Sequence, residues 1–119
     1  MKTLPNGVTV FNGAPHQITF WKPGWKDVVN VESDGIISAE ICEQAVYSTL
    51  EGVTLVKTRY KPTPDGDKIV AEALDEADVI VGSIIAAQAY PGVVFGGVAA
   101  PGYERVAEKR ILPDKFVVF

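Results

Sequence analysis

The chain has one cysteine, Cys42, and one histidine, His16, in 119 residues. A lone cysteine excludes an internal disulfide and any multi-cysteine metal site. Cys42 is expected to be a small core residue rather than a nucleophile. A lone histidine excludes a two-histidine metal site within one chain. No paired-carboxylate motif of the glycosidase kind stands out, and neither a metal nor a cofactor is expected. No apolar run approaches the roughly 20 residues of a membrane-spanning helix. The longest weakly polar run, Val79 to Ala89, contains Gly82, Ser83 and Gln88. The segment Met1 to Gly7 has no apolar stretch of signal-peptide length. A cytoplasmic protein without a membrane partner is therefore the expectation. Basic clusters able to hold a phosphate backbone are also missing, so nucleic acid is not an expected partner.

What is present fits one domain over residues 1–119, with a hydrophobic content of 47%. The net charge of −4 arises wholly from residues 65–119, which carry five basic and nine acidic side chains; residues 1–64 carry six of each. The first half reads as β. Gly7 to Phe11 alternates up to the turn signal Asn12-Gly13, and His16 to Trp21 alternates again, placing Ile18 and Phe20 on one face. Val28 to Val31 predicts a third strand, while Ile36 to Cys42 fits more than one structure. Ala45 to Leu50 and Val53 to Tyr60, parted by Glu51-Gly52, have hairpin spacing.

The character changes after the loop Lys61 to Gly66. Ile69, Val70, Ala73, Leu74 and Ala77 recur at helical spacing, predicting a helix over Asp67 to Ala77 with Asp65 or Asp67 as its cap. Asp75 and Glu76 suit the end of that helix poorly, because its dipole disfavours acids there. Asp78 to Val81 is a continuous run ending in three β-branched residues, as expected of a strand covered on both faces. Ser83 can cap a short helix reaching Tyr90, stopped by Pro91-Gly92. Val93 to Phe95 and Lys115 to Phe119 predict further strands, and Ala99 to Asp114 predicts an irregular tail. From Val53 to Phe95 the order suggests a βαβαβ unit. The fold class is α/β, with α+β as the alternative: mostly strands, with one or two helices packed on a mixed sheet.

The chemistry-bearing residues are few. Gly82 and Ser83 end a strand and open a helix, where free backbone N–H groups favour an anion; the other reading is that Ser83 only caps its helix. Gln88 needs partners or a ligand if its helix is buried. His16 could act as a general base, but nothing in the spacing pairs it with one particular carboxylate. Trp21 and Trp25 flank a Lys-Pro-Gly turn and could stack a ligand, contact another subunit, or continue the Ile18/Phe20 face into the core. Arg105 is a candidate phosphate partner in a tail that otherwise reads as solvated.

Three segments carry a family resemblance. Asn12-Gly13-Ala14-Pro15-His16 resembles the N-x-T-P-H start of a family of small phage, prophage and bacterial proteins. Gly52 to Tyr60 resembles that family's G-x-P-V-V-R-T-x-Y stretch, and Val79 to Ala89 resembles its Y-I-V-S-x-x-V-A-Q-A segment. Ala14 stands where Thr is usual and Gly82 where Ser is common, so no hydroxyl role carries over to those positions. The resemblance implies a phage or mobile-element context rather than a particular chemistry. By analogy with small phage proteins that bind nucleotide signals of host immunity, it directs attention to a small anionic or nucleotide-like ligand. The expected ligand-binding residues are Asn12, His16, Thr58, Arg59, Gly82, Ser83 and Gln88. The alternatives are a small enzyme using His16 and a structural or host-protein-binding phage subunit. Many strands in a short chain leave edges to cover, so a homo-oligomer is a further expectation.

Overall fold

The structure, a computed structural model, describes residues 1–119, apart from the side chain of residue 43. In chain order the elements are β1 (Lys2–Thr3), β2 (Thr9–Asn12), β3 (Ile18–Phe20), β4 (Val29–Val31), β5 (Ala39–Leu50), β6 (Val53–Pro62), α1 (Pro64–Leu74), β7 (Val79–Val81), α2 (Ile84–Ala89), β8 (Val94–Ala99) and β9 (Ile111–Val117). Seven strands form a mixed sheet in the order β1-β2-β7-β8-β9-β3-β4, and two helices pack against it. The α/β class is thus the observed one. No described helix is long and apolar enough to cross a membrane.

The alternation in the first strands positions the core. In β3, Ile18 and Phe20 are buried while Thr19 is half-exposed, and in β2, Val10 and Asn12 are buried. Phe20, Val10, Val31, Val81, Leu4 and Ala14 form one apolar cluster. Burial of a Phe side chain contributes roughly 1.5–3 kcal/mol. A second cluster, Ile37, Val70, Ala73, Ile80, Ala86, Ala87 and Val94, fills the space between the sheet and the helices. Ile80 and Val81, adjacent in β7, enter different clusters, so both faces of this strand are covered. The two ends of the strand order are also tied together. Lys2 Nζ donates to the Asn30 carbonyl at 2.8 Å, and the N-terminal ammonium pairs with Asp34.

Several sequence expectations change here. Thr63, rather than Asp65 or Asp67, caps α1, accepting from Gly66 N at 2.9 Å. Pro64 opens the helix, where its missing N–H costs nothing. The helix stops with Asp75 as its C-cap, so Glu76 lies beyond it and the unfavourable acidic end is largely avoided. The βαβαβ unit is only half present. β7 and β8 are parallel neighbours joined by α2, but β6 pairs only with β5, and the place beside β7 is taken by β2. The last strand begins at Ile111, earlier than Lys115, and contains Pro113 where the pairing with β8 is irregular and no ladder donor is required. Cys42 is exposed on β5 rather than in the core.

The β5–β6 hairpin forms a separate two-stranded sheet of 12 and 10 residues. Its turn is Glu51-Gly52, with Gly52 at φ 73°, a conformation glycine adopts without a Cβ penalty. The molecule measures 52 × 34 × 20 Å, and its radius of gyration is 16.1 Å. A compact chain of this length would have about 13.5 Å. The hairpin is an arm on a compact body.

Candidate functional site: a groove at His16, Ser83 and Lys109

Asn12 organises the turn that carries His16. Its side chain is 0% exposed. Its Nδ2 donates to the carbonyls of His16 and Val31, both at 2.9 Å, and its Oδ1 accepts from Ala14 N at 2.9 Å. A buried amide so engaged satisfies three backbone groups that would otherwise be orphaned. Asn12 therefore holds the Gly13–Pro15 turn and faces no groove. Gly13 N donates to Val81 O at 2.7 Å, which fixes the turn beside the end of β7.

That placement brings His16 to the Gly82–Ser83 turn. Ala14, His16, Ile18, Val81, Gly82, Ser83, Ile84, Gly97, Lys109 and Ile111 line a groove of about 250 Å³. A larger hollow of about 460 Å³ adjoins it and shares His16, Ile18, Lys109 and Ile111. Both are open to solvent. Their volumes approach the roughly 300–1,000 Å³ of small-molecule sites.

Each polar group in the groove has a defined state. His16 Nδ1 lies 3.0 Å from the Gln17 carbonyl. A carbonyl only accepts, so this bond requires Nδ1–H, and in the neutral ring Nε2 is then the acceptor. No carboxylate orients the ring among the hydrogen bonds of the described residues. Ser83 is the N-cap of α2; its Oγ accepts from Ala86 N at 3.1 Å. Gly82 allows close packing, since a Cβ there would stand 2.8 Å from Val94 Cγ1. Lys109 supplies the positive charge shared by both hollows.

Lys109 was not among the expected site residues; it lies in the tail that reads as irregular. Its neighbours explain its position. The Arg110 guanidinium lies 5.2 Å from the Trp21 ring centroid and 4.6 Å from that of Tyr103. Trp21 and Tyr103 meet edge-on at 5.7 Å, and Trp21 N donates to Ile111 O at 3.0 Å. These contacts fasten residues 107–111 along β3. Trp21 thus serves this fastening, and its Nε1 donates to Trp25 O at 2.9 Å. A tryptophan at a strand end followed by a distant Tyr-x₆-Arg was the only sequence signal, and it is a weak one.

The remaining expected residues do not join the groove. Thr58 and Arg59 stand on β6 in the arm, where Thr58 Oγ1 accepts from Gln44 Nε2 at 3.3 Å. Gln88 is half-buried on α2 and lines neither hollow. Among the described residues no cluster of three or more His, Cys, Asp or Glu could hold a metal ion.

The fold and groove define a small mixed-sheet domain with a shallow groove lined by His16 and Lys109, its larger hollow also lined by Glu108. Comparison with known proteins finds no match: no family model matches the chain, and neither does any curated protein or solved structure at the significance required.

Proposed function

We propose that this protein binds a small anionic, nucleotide-like molecule in the groove between His16, Ser83 and Lys109. The observation that carries the reading is the pair of adjoining hollows sharing one cation and one imidazole over apolar walls of Ile18, Ile84 and Ile111. Lys109 would meet the anionic group, His16 would supply a directional hydrogen bond, and the isoleucines would cover a base or ribose. The protein works by binding: His16 is held by a backbone carbonyl rather than a carboxylate, and the Ser83 hydroxyl already takes a helix N–H. On the family resemblance, the protein is a phage or mobile-element product that withholds a host signal in the cytoplasm.

The test is thermal stabilisation and calorimetry with nucleoside mono- and diphosphates and cyclic dinucleotides, set against the unphosphorylated nucleosides. Phosphate-bearing ligands should stabilise the protein and nucleosides should not. Lys109→Glu should weaken binding by about 10–100-fold, the worth of a charge-assisted hydrogen bond at roughly 1.5–3 kcal/mol. Ser83→Trp should block the groove. If Ser83→Trp and His16→Ala retain full ligand-dependent stabilisation, the site is elsewhere.

A further inference from the structure

The chain holds two Asn-Gly pairs, Asn6-Gly7 and Asn12-Gly13. Asparagine before glycine is prone to deamidation, because glycine has no Cβ to shield its backbone nitrogen. That nitrogen attacks the asparagine Cγ, the Cγ–Nδ2 bond breaks, and the proton of the attacking N–H leaves with the ammonia. Water then opens the succinimide at either carbonyl, giving aspartate or isoaspartate.

The fold treats the two pairs differently. Asn6 is exposed in the turn of residues 4–7, between β1 and β2. Its Nδ2 donates to Pro113 O at 3.0 Å, its Oδ1 accepts from Val8 N at 3.1 Å, and Gly7 N donates to Leu4 O at 2.9 Å. An exposed turn of this kind opens without the sheet. Asn12-Gly13 is buried, and both reacting groups are held by other strands. Gly13 N donates to Val81 O at 2.7 Å, and Asn12 Nδ2 donates to the carbonyls of His16 and Val31. Freeing them takes β2 away from β7 and from β4, so it requires loss of the body sheet. The packing also calls for this pair. A Cβ at Gly13 would stand 2.4 Å from Cδ1 of the buried Ile37 and 3.1 Å from Val81 O.

We propose that Asn12-Gly13 is a latent modification site, closed by the native fold and opened by unfolding, whose products cannot rebuild the turn. An aspartate at this position has no N–H for the carbonyls of His16 and Val31. Its charge would be buried beside Asp34, whose Oδ2 already accepts from the backbone N of residue 12 at 2.8 Å. Isoaspartate lengthens the backbone by one methylene between Asn12 N and Gly13 N, which are anchored on Asp34 and on Val81 O. A chain left unfolded for long is thereby lost to the folded pool, a chemical route to irreversible unfolding. The inference does not rest on what the groove binds.

The test incubates the full chain in mildly alkaline buffer, with guanidinium chloride from none to well past the unfolding midpoint. Peptide mapping by mass spectrometry follows both asparagines. In denaturant the two should be lost at similar rates. In native buffer Asn6 should be lost first, and Asn12 at least about 100-fold more slowly than in denaturant, since a folded domain is unfolded for roughly 10⁻³ of the time or less. Through the transition, Asn12 loss should track the fraction unfolded. Long-denatured chains are then returned to native buffer and the folded fraction is isolated by gel filtration. That fraction should retain Asn12 while tolerating modification at position 6. Asn12→Asp supplies one product directly; it should fail to fold or unfold at lower denaturant than Asn12→Ala, which buries no charge. Smaller protection of Asn12 in native buffer, or its loss before Asn6, would overturn the proposal. So would a refolded fraction as rich in modified position 12 as the starting pool, or an Asn12→Asp chain at least as stable as Asn12→Ala.

Discussion

The body and the arm are built from similar residues and use them in opposite ways. In the body, β-branched and aromatic side chains alternate with polar ones, and the apolar set closes on Phe20, Val10 and Val31. In the arm the same alternation runs through two longer strands, yet its valines and leucines are 38–66% exposed. The body's strands are short, but almost every one has neighbours in the seven-stranded sheet. The arm's strands are long and have only each other. Sequence period sets which side chains share a face; it does not provide a surface for that face to meet. The topology supplies that surface in the body and supplies none in the arm.

The comparison breaks if the body tolerates truncation as the arm does. Phe20→Ala should cost about 3–5 kcal/mol in chemical unfolding, because it removes a fully buried ring and leaves a cavity. Leu50→Ser, at the exposed tip, should lie within about 0.5 kcal/mol of wild type. Equal effects would mean that the arm is packed in solution against something of its own chain. Asn12→Ala sharpens the body side. It should cost about 2–4 kcal/mol, since it strands the Val31 and His16 carbonyls and the Ala14 N–H in a buried site. It should also weaken ligand binding without touching the ligand, by loosening the turn that presents His16. A stable variant with unaltered binding would show that the turn holds without its amide.

How much was legible follows the same division. Ile18 and Phe20, the doubly covered Val79–Val81 run and the Ser83 cap all rest on local rules, and the structure has them where those rules place them. Partner choice is not local. Nothing in the period of β2 says that it lies beside β7, almost 70 residues later, and this pairing is what brings His16 to Ser83. Asn12 reads as a ligand contact because it sits in a polar turn; in the fold its amide is buried and bonded to His16, Val31 and Ala14. Cys42 reads as core because free cysteine is among the most buried residue types, and it is exposed because the arm projects. Lys109 is hidden in a charged tail whose path depends on Arg110 meeting two aromatic rings far away in sequence.

A smaller expected effect than that of either buried substitution lies at the junction between the two regions. Both strands of the arm leave the body beside a clasp: Ser38 Oγ and Thr63 Oγ1 are 2.8 Å apart, and the Tyr90 hydroxyl donates to Asp67 Oδ1 at 2.9 Å. Tyr90 joins the end of α2 to the first turn of α1. Burial, the hydrogen bond to Asp67 and the negative charge of that carboxylate push its phenol from 10.0 up to about 12. A folded-state value above the unfolded one means that the native state favours the neutral phenol. Its contribution to stability is therefore complete below pH 10 and is lost as pH rises through about 12. Tyr90→Phe should remove that part of the alkaline decline and lower stability at neutral pH by about 1 kcal/mol, the net worth of one hydrogen bond. Asp67→Asn keeps an acceptor but removes the charge, so it should bring the tyrosinate absorbance midpoint back toward 10.0. Hydrogen exchange then separates body from arm. If the junction is a hinge, Tyr90→Phe should speed exchange at the root of β5 and β6 and leave β2, β3 and β7 protected. Uniform acceleration across both regions would mean that body and arm unfold as one unit, and the distinction between them would be one of shape alone.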